Sequence, residues 1–222
     1  MAKTMLTIGA GPGIGFATAQ RFAAEGYRIV LVARNSERLN QQAAVLREGG
    51  AEVQTQVVDA RNALEVGQLV ASIGDDLNVL HYNAGVLHYD QNGALQMQPL
   101  ESQSVESLVS DTTINISSAL VAVQAAARIM KAKRSGTILL TGGFLAVQPS
   151  ADLLTLSIGK AGIRTAAQAL FEPLKAQGVH IATVTVGTLV SPDSKESREI
   201  AEVFWGLHEQ AGDAWTWEHL YT

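Results

Sequence analysis

Ile8-Gly9-Ala10-Gly11-Pro12-Gly13-Ile14-Gly15 places four glycines within seven residues, after an apolar run and before a helical pattern. Met5 to Ile8 reads as a short buried strand, and Phe16, Ala19, Phe22 and Ala23 recur at helical spacing. A strand, a tight glycine turn and a helix start together make an anion site. The N–H groups of a helix's first turn lack intrahelical partners, and the helix dipole favours negative charge there. Glycine also admits positive φ and lets a pyrophosphate approach without meeting a β-carbon. The spacing is G-x-x-x-G-x-G through Gly9, Gly13 and Gly15. It is not the commoner G-x-G-x-x-G, whose third glycine would fall on Ile14 or Phe16. Ile14, between the last two glycines, belongs to the predicted cradle.

Outward from this turn, strand and helix patterns alternate. Strands are expected at Arg28 to Ala33, Val53 to Val58, Leu77 to Tyr82, Thr137 to Thr141 and His180 to Val186. Helices are expected at Ser36 to Glu48, with Ser36 as its cap, at Ala63 to Ile73, at Val105 to Lys131 in one or two pieces, and at Asp152 to Ala176. No repeat or linker interrupts the series, so residues 1–222 read as one domain. Such alternation calls for a doubly wound, Rossmann-type α/β fold: a parallel sheet covered on both faces, with ligands at the carboxyl ends of its strands. Two connections at that edge are candidate covers for a ligand: His88 to Ser104, long for its type, and the polar run Ser191 to Arg198, expected to be a mobile loop.

Bulk properties narrow the function. A chain of 222 residues that is 47% hydrophobic can bury a full α/β core. A net charge of −5 without a basic run argues against nucleic acid as a partner. The absence of cysteine excludes disulfides and thiolate chemistry, and the five histidines show no metal-ligand spacing. Gln124 interrupts the most apolar helical run and no leader precedes the first strand, so no membrane partner and a cytoplasmic location are expected.

Several dispersed segments resemble the short-chain dehydrogenase/reductase family over most of the chain. Gly9, Gly13 and Gly15 match its cofactor turn, and Asn83-Ala84-Gly85 matches its N-A-G motif beneath the cofactor. The resemblance implies that Asp59 contacts the adenine ring and that Asn115 is the catalytic asparagine. It further implies that Lys160 holds the nicotinamide ribose and that Gly187 to Ser191 lies near the nicotinamide amide. It implies a homodimer or homotetramer built on the two long helices. Where an acid would bind the ribose 2′-hydroxyl, this chain has Ala33-Arg34, and a guanidinium can clamp a 2′-phosphate. NADP(H) is therefore expected over NAD(H).

The likeness breaks at the proton donor. The family's tyrosine, four residues before the lysine, is Leu156, the variant position seven before it is Leu153, and the family's serine falls on Gly143. General acid catalysis contributes roughly 10²–10⁴-fold, so its loss slows turnover without forbidding it. Ser157, Thr141 and Thr155 offer only weakly acidic hydroxyls, whereas His88 and Tyr89 have suitable chemistry on a loop within reach. Ile8 in place of threonine removes a side-chain link to the N-A-G segment. Two readings follow: an oxidoreductase of a carbonyl, alcohol or enone-type molecule with a non-standard proton donor, or an inactive NADP(H)-binding sensor or structural partner. Trp205, Trp215 and Trp217 are expected to serve packing, a substrate wall or a subunit contact, with the last two on one strand face.

Overall fold

The computed structural model describes residues 3–91 and 94–222. Seven parallel strands form one sheet in the order β3-β2-β1-β4-β5-β6-β7. They are β1 Thr4–Ile8, β2 Arg28–Ala33, β3 Val53–Val57, β4 Leu77–Tyr82, β5 Thr137–Thr141, β6 His180–Val186 and β7 Glu218–Tyr221. Successive strand residues face opposite sides, and each side is closed by its own core. Leu6, Val30, Leu80 and Ile138 point to one cluster, and Met5, Ile29, Val79 and Leu139 to the other. Helices α3 (Ala63–Ile73), α5 (Ser118–Lys133) and α6 (Leu154–Lys175) cover the first face. Helices α1 (Ile14–Ala24), α2 (Ser36–Glu48) and α7 (Lys195–Glu209) cover the second. The chain reverses direction across the sheet between β1 and β4, and a cleft opens there at the strands' carboxyl ends, as parallel sheets of this type require.

The structure revises four expectations. The cap of α2 is Asn35, whose side chain accepts from the Arg38 N–H, because Ser36 already has helical backbone. The supposed mobile stretch from Ser191 is half helix. Ser194 caps α7 through the Ser197 N–H, and its polar first turn leads into Ile200, Ala201, Phe204 and Leu207, all buried. Trp215 and Trp217 precede β7 rather than lying in it: Trp215 stacks flat on His180 at 4.8 Å, and Arg164 lies over Trp217 at 5.1 Å. Trp205 packs edge-on against Phe22 at 5.0 Å.

The fourth concerns the stretch Val105–Lys133, which is long and apolar enough to cross a membrane by length and composition. Gln124 carries no charge and does not disqualify it. Here Ala119, Ala122, Val123, Ala126 and Met130 turn one face of it into the core. The stretch is also not one regular helix. After α4 (Val105–Thr112), residues Thr113–Ser117 form a π-turn before α5 begins. Such wide turns are frequent at functional sites.

Candidate active site

The glycine turn is built around close approach. Gly9 has φ +90°, and a β-carbon there would stand 2.7 Å from Ala84 Cα and 2.8 Å from the Asn83 carbonyl carbon. One on Gly15 would strike the Gly9 carbonyl oxygen and lie 2.8 Å from Asn83 Nδ2. β1, α1 and the end of β4 therefore meet through backbone. The Ile8 carbonyl accepts from the Asn83 and Ala84 N–H groups at 2.8 and 3.0 Å, and Asn83 Nδ2 donates to the Gly9 carbonyl at 2.8 Å. The link expected to be lost with threonine is thus made by main chain and the asparagine amide. No side chain caps α1 at Gly13, and its first turn holds no acid. Among the described residues no hydrogen bond is made by the Ile14 and Gly15 N–H groups, and such groups at a helix start suit an anion.

From this turn a cleft of about 450 Å³ runs in two directions. At one end it is lined by Arg34, Arg38, Asp59 and Arg61. Asp59 is engaged by Arg61, with Nε at 2.8 Å and the backbone N–H at 2.9 Å, and that guanidinium holds its carboxyl below the usual range. Arg34 and Arg38 form no ion pair among the described residues, so their charge is available to a ligand. Toward the other end lie Asn83, Ala84, Gly85, Val86, His88, Asp111 and Ile114.

Asn115 and Lys160 stand behind Gly85. Asn115 sits in the π-turn, which Tyr82 Oη pins to β4 by donating to the Ile114 carbonyl at 2.6 Å. Its Oδ1 accepts from the Val86 N–H at 3.0 Å, while its Nδ2 is buried with no partner. A buried, unpartnered donor calls for an acceptor from a ligand or water. Gly159 lets α6 approach this turn: a β-carbon there would lie 2.5 Å from Asn115 Cβ. One turn of contact thus brings Lys160 beside Asn115. Lys160 Nζ donates to the Thr141 carbonyl at 2.7 Å, and burial lowers its ammonium to about 8. Gly143, at the serine position, lies beneath the lysine chain, where a β-carbon would come within 3.2 Å of Lys160 Cγ.

Gly187 and Ser191 take different places. The Gly187 N–H bonds the Tyr221 carbonyl at 2.7 Å, at the end of β7. The Ser191 carbonyl lies 4.0 Å from where a Gly13 β-carbon would be, over the glycine turn. Leu156 is buried and shares a small hollow with His88, Thr155 and Asp152.

Reading the residues alone missed Asp111. It is buried, and its Oδ2 accepts from both His88 Nε2 and Thr155 Oγ1 at 3.0 Å. The available signal was a carboxylate one helical turn before Asn115, on the same inward face.

Strand order, glycine cradle and cleft define a Rossmann-type dinucleotide-binding protein. The short chain dehydrogenase family profile matches residues 3–201, and the chain belongs to the short-chain dehydrogenase/reductase family, a family of oxidoreductases. It is similar to a very-long-chain 3-oxoacyl-CoA reductase of Pyricularia oryzae, 32% identical over 88% of this chain, and spans only 59% of that protein's length. A short-chain dehydrogenase from Rhodopseudomonas palustris superposes with a TM-score of 0.87 at 25% identity, covering 99% of this chain and 98% of the other. A metagenomic short-chain oxidoreductase in complex with NADP gives a TM-score of 0.87 at 23% identity, covering 99% and 96%.

Proposed function

We propose that this chain is an NADP(H)-dependent reductase of a small carbonyl or enone-type compound, working without the family's tyrosine. The observation that carries the reading is a single cleft with uncommitted arginines at one end and Asn115 and Lys160 behind the other. Gly9, Gly13, Ile14 and Gly15 would cradle the pyrophosphate, and Arg34, assisted by Arg38, the 2′-phosphate. Asp59 would border the adenine, Asn83, Ala84 and Gly85 would support the cofactor from beneath, and Lys160 and Asn115 would hold the ribose and an ordered water. Gly187 and Ser191 would close over the nicotinamide side. When bound, the reduced dinucleotide supplies hydride. A cytoplasmic site of action suits a chain without cysteine.

The test is NADPH oxidation with benzaldehyde, trifluoroacetophenone, 9,10-phenanthrenequinone and cyclohexenone, beside binding of NADPH and NADH. Wild type is expected to bind NADPH more tightly. Arg34→Ala should weaken NADPH by about 10–100-fold, the worth of charge-assisted bonds to one phosphate, and leave NADH within about twofold. Equal losses for both dinucleotides would overturn the NADP(H) assignment. The apolar Leu156 and the bare Gly143 favour a second reading, a binding-only sensor or partner, which tight NADPH binding without turnover on all four probes would support.

We propose assembly into a homodimer or homotetramer through the long helices α5 and α6, where Leu120 and Ile158 are exposed apolar side chains. Light scattering should give a multiple of the 23.5 kDa chain mass, and Leu120→Glu should lower it; a monomeric wild type would refute this.

A further inference from the structure

The hollow beside Leu156 is also lined by His88 and Thr155. Residues 88–91 and 94–96 run antiparallel, tied by the Gln96 N–H to the His88 carbonyl at 2.8 Å and by a bridge between Tyr89 and Leu95. The Gln98 N–H bonds the Asp152 carbonyl at 2.8 Å, docking this segment onto the start of α6. His88 is thereby held between the cleft and the hollow, lining both, with Leu156 in the same wall of the hollow.

Its ring is oriented from behind. A carboxylate only accepts hydrogen bonds, so Asp111 Oδ2 takes the Thr155 hydroxyl proton and the His88 Nε2–H, each at 3.0 Å. Asp111 is almost wholly enclosed (its side chain is 3% exposed), whereas His88 is 33% exposed. A buried carboxylate demands hydrogen-bond donors, and the His88 ring and the Thr155 hydroxyl both reach it. The other ring nitrogen, Nδ1, has no partner among the described residues. The arrangement resembles that of an acid–base histidine: one nitrogen is bonded to a buried carboxylate, and the ring lines an open cleft.

We propose that His88, positioned by Asp111 and Thr155, delivers the proton to the substrate oxygen in place of tyrosine. This rests on the reductase reading above. As the carbonyl carbon receives the hydride supplied by the dinucleotide, the π electron pair moves to oxygen, and that oxygen takes the proton from His88 Nδ1. The ring is left neutral, with Nε2–H still on Asp111, and its exposed edge regains a proton from solvent. His88 is then the catalytic acid, and Asp111 and Thr155 are positioning residues.

The experiment uses His88→Ala, His88→Gln and Asp111→Asn with NADPH and whichever of the four probes wild type reduces. Both His88 variants should lose roughly 10²–10⁴-fold in kcat while keeping NADPH affinity within about threefold. Glutamine can still donate to Asp111, so a merely structural role would be rescued by it; a proton donor's role is not. Added imidazole should restore His88→Ala at least about tenfold and leave His88→Gln, whose side chain fills the space, unrescued. On the apo chain, ¹⁵N-edited histidine spectra should show His88 Nε2 protonated in wild type and this preference lost in Asp111→Asn.

A kcat within about threefold of wild type in His88→Ala, full activity in His88→Gln, or a neutral His88 ring protonated on Nδ1 in wild type would each overturn this assignment alone. NADPH binding with no wild-type turnover on any probe would overturn the reductase reading and this assignment with it.

Discussion

Gly9→Ala should lower unfolding stability by about 2–5 kcal/mol, a large share of the roughly 5–15 kcal/mol a domain of this kind possesses. Two separate costs add. The residue has φ +90°, which an L side chain adopts only at about 1–2 kcal/mol. The new methyl would also meet Ala84 and Asn83 backbone atoms within 2.8 Å, and main chain at the end of a central strand cannot swing aside as a side chain can. Overpacking of that sort costs about 1–3 kcal/mol. Gly26 is the internal control. It has φ +81° but nothing within 4 Å of an added β-carbon. Gly26→Ala should therefore cost only the strain, about 1–2 kcal/mol. Urea unfolding of the two variants separates the terms; equal losses would show that the contact with the N-A-G segment contributes nothing.

Acidification should destabilise the chain well before its carboxylates titrate. His81 is fully buried on β4, with Nε2 3.0 Å from Thr141 Oγ1 and Nδ1 unpartnered, and burial pushes its pKa down to about 3. His208, bonded through Nε2 to Tyr27 Oη at 2.6 Å and through Nδ1 to Thr137 Oγ1 at 2.8 Å, is pushed down to about 4, chiefly by burial. In the unfolded chain both take up protons near pH 6.5. Below that pH the unfolded state binds protons the native state refuses, so stability rises with pH across this window. The contribution is complete above about pH 6.5 and lost as pH falls toward 4 and then 3. Roughly 2–4 kcal/mol should disappear between pH 6.5 and 4.5. His81→Gln combined with His208→Gln should flatten the slope in that range. A slope as steep in the double variant as in wild type would show that other groups carry the acid sensitivity.

How far residues alone reveal this molecule depends on how local each cause is. The limits of β2, α3, β4, β5 and β6 follow from runs of apolar residues and the glycines and polar clusters that end them, and the structure places them where those runs lie. The helix α7 escaped because its first turn, Lys195 to Arg198, is polar throughout, and its apolar stripe starts only at Ile200. β7 escaped because a four-residue edge strand with two exposed positions carries almost no pattern. The π-turn escaped because nothing local distinguishes Thr113–Ser117 from ordinary helix. Its wide turn is held by Tyr82, 32 residues away, and by the approach of Gly159.

The site divides along the same line. The glycine cradle, Arg34 and the N-A-G segment are contiguous or lie at strand ends, so spacing alone placed them on one edge of the sheet. Asn115 and Lys160 lie on separate helices, and only a packed α6 puts Lys160 Nζ 3.8 Å from where a Gly85 β-carbon would be. Leu156 and Gly143 are visible as departures by counting residues. Their consequence is not, because it depends on what stands next to them.

By itself, then, the sequence determined that this chain is a parallel α/β protein with a G-x-x-x-G-x-G turn after its first strand, and with leucine at the position where the resemblance implies a tyrosine. Those facts rest on periodicity, on residue size and on the absence of a side chain. The tertiary structure alone decided that His88 and Asp111, 23 positions apart, would meet at 3.0 Å beside Leu156. A hydrogen bond of that length requires a folded-back segment, a helix with its carboxylate turned inward and a second helix closing over both, and no one of these can be read without the others in place.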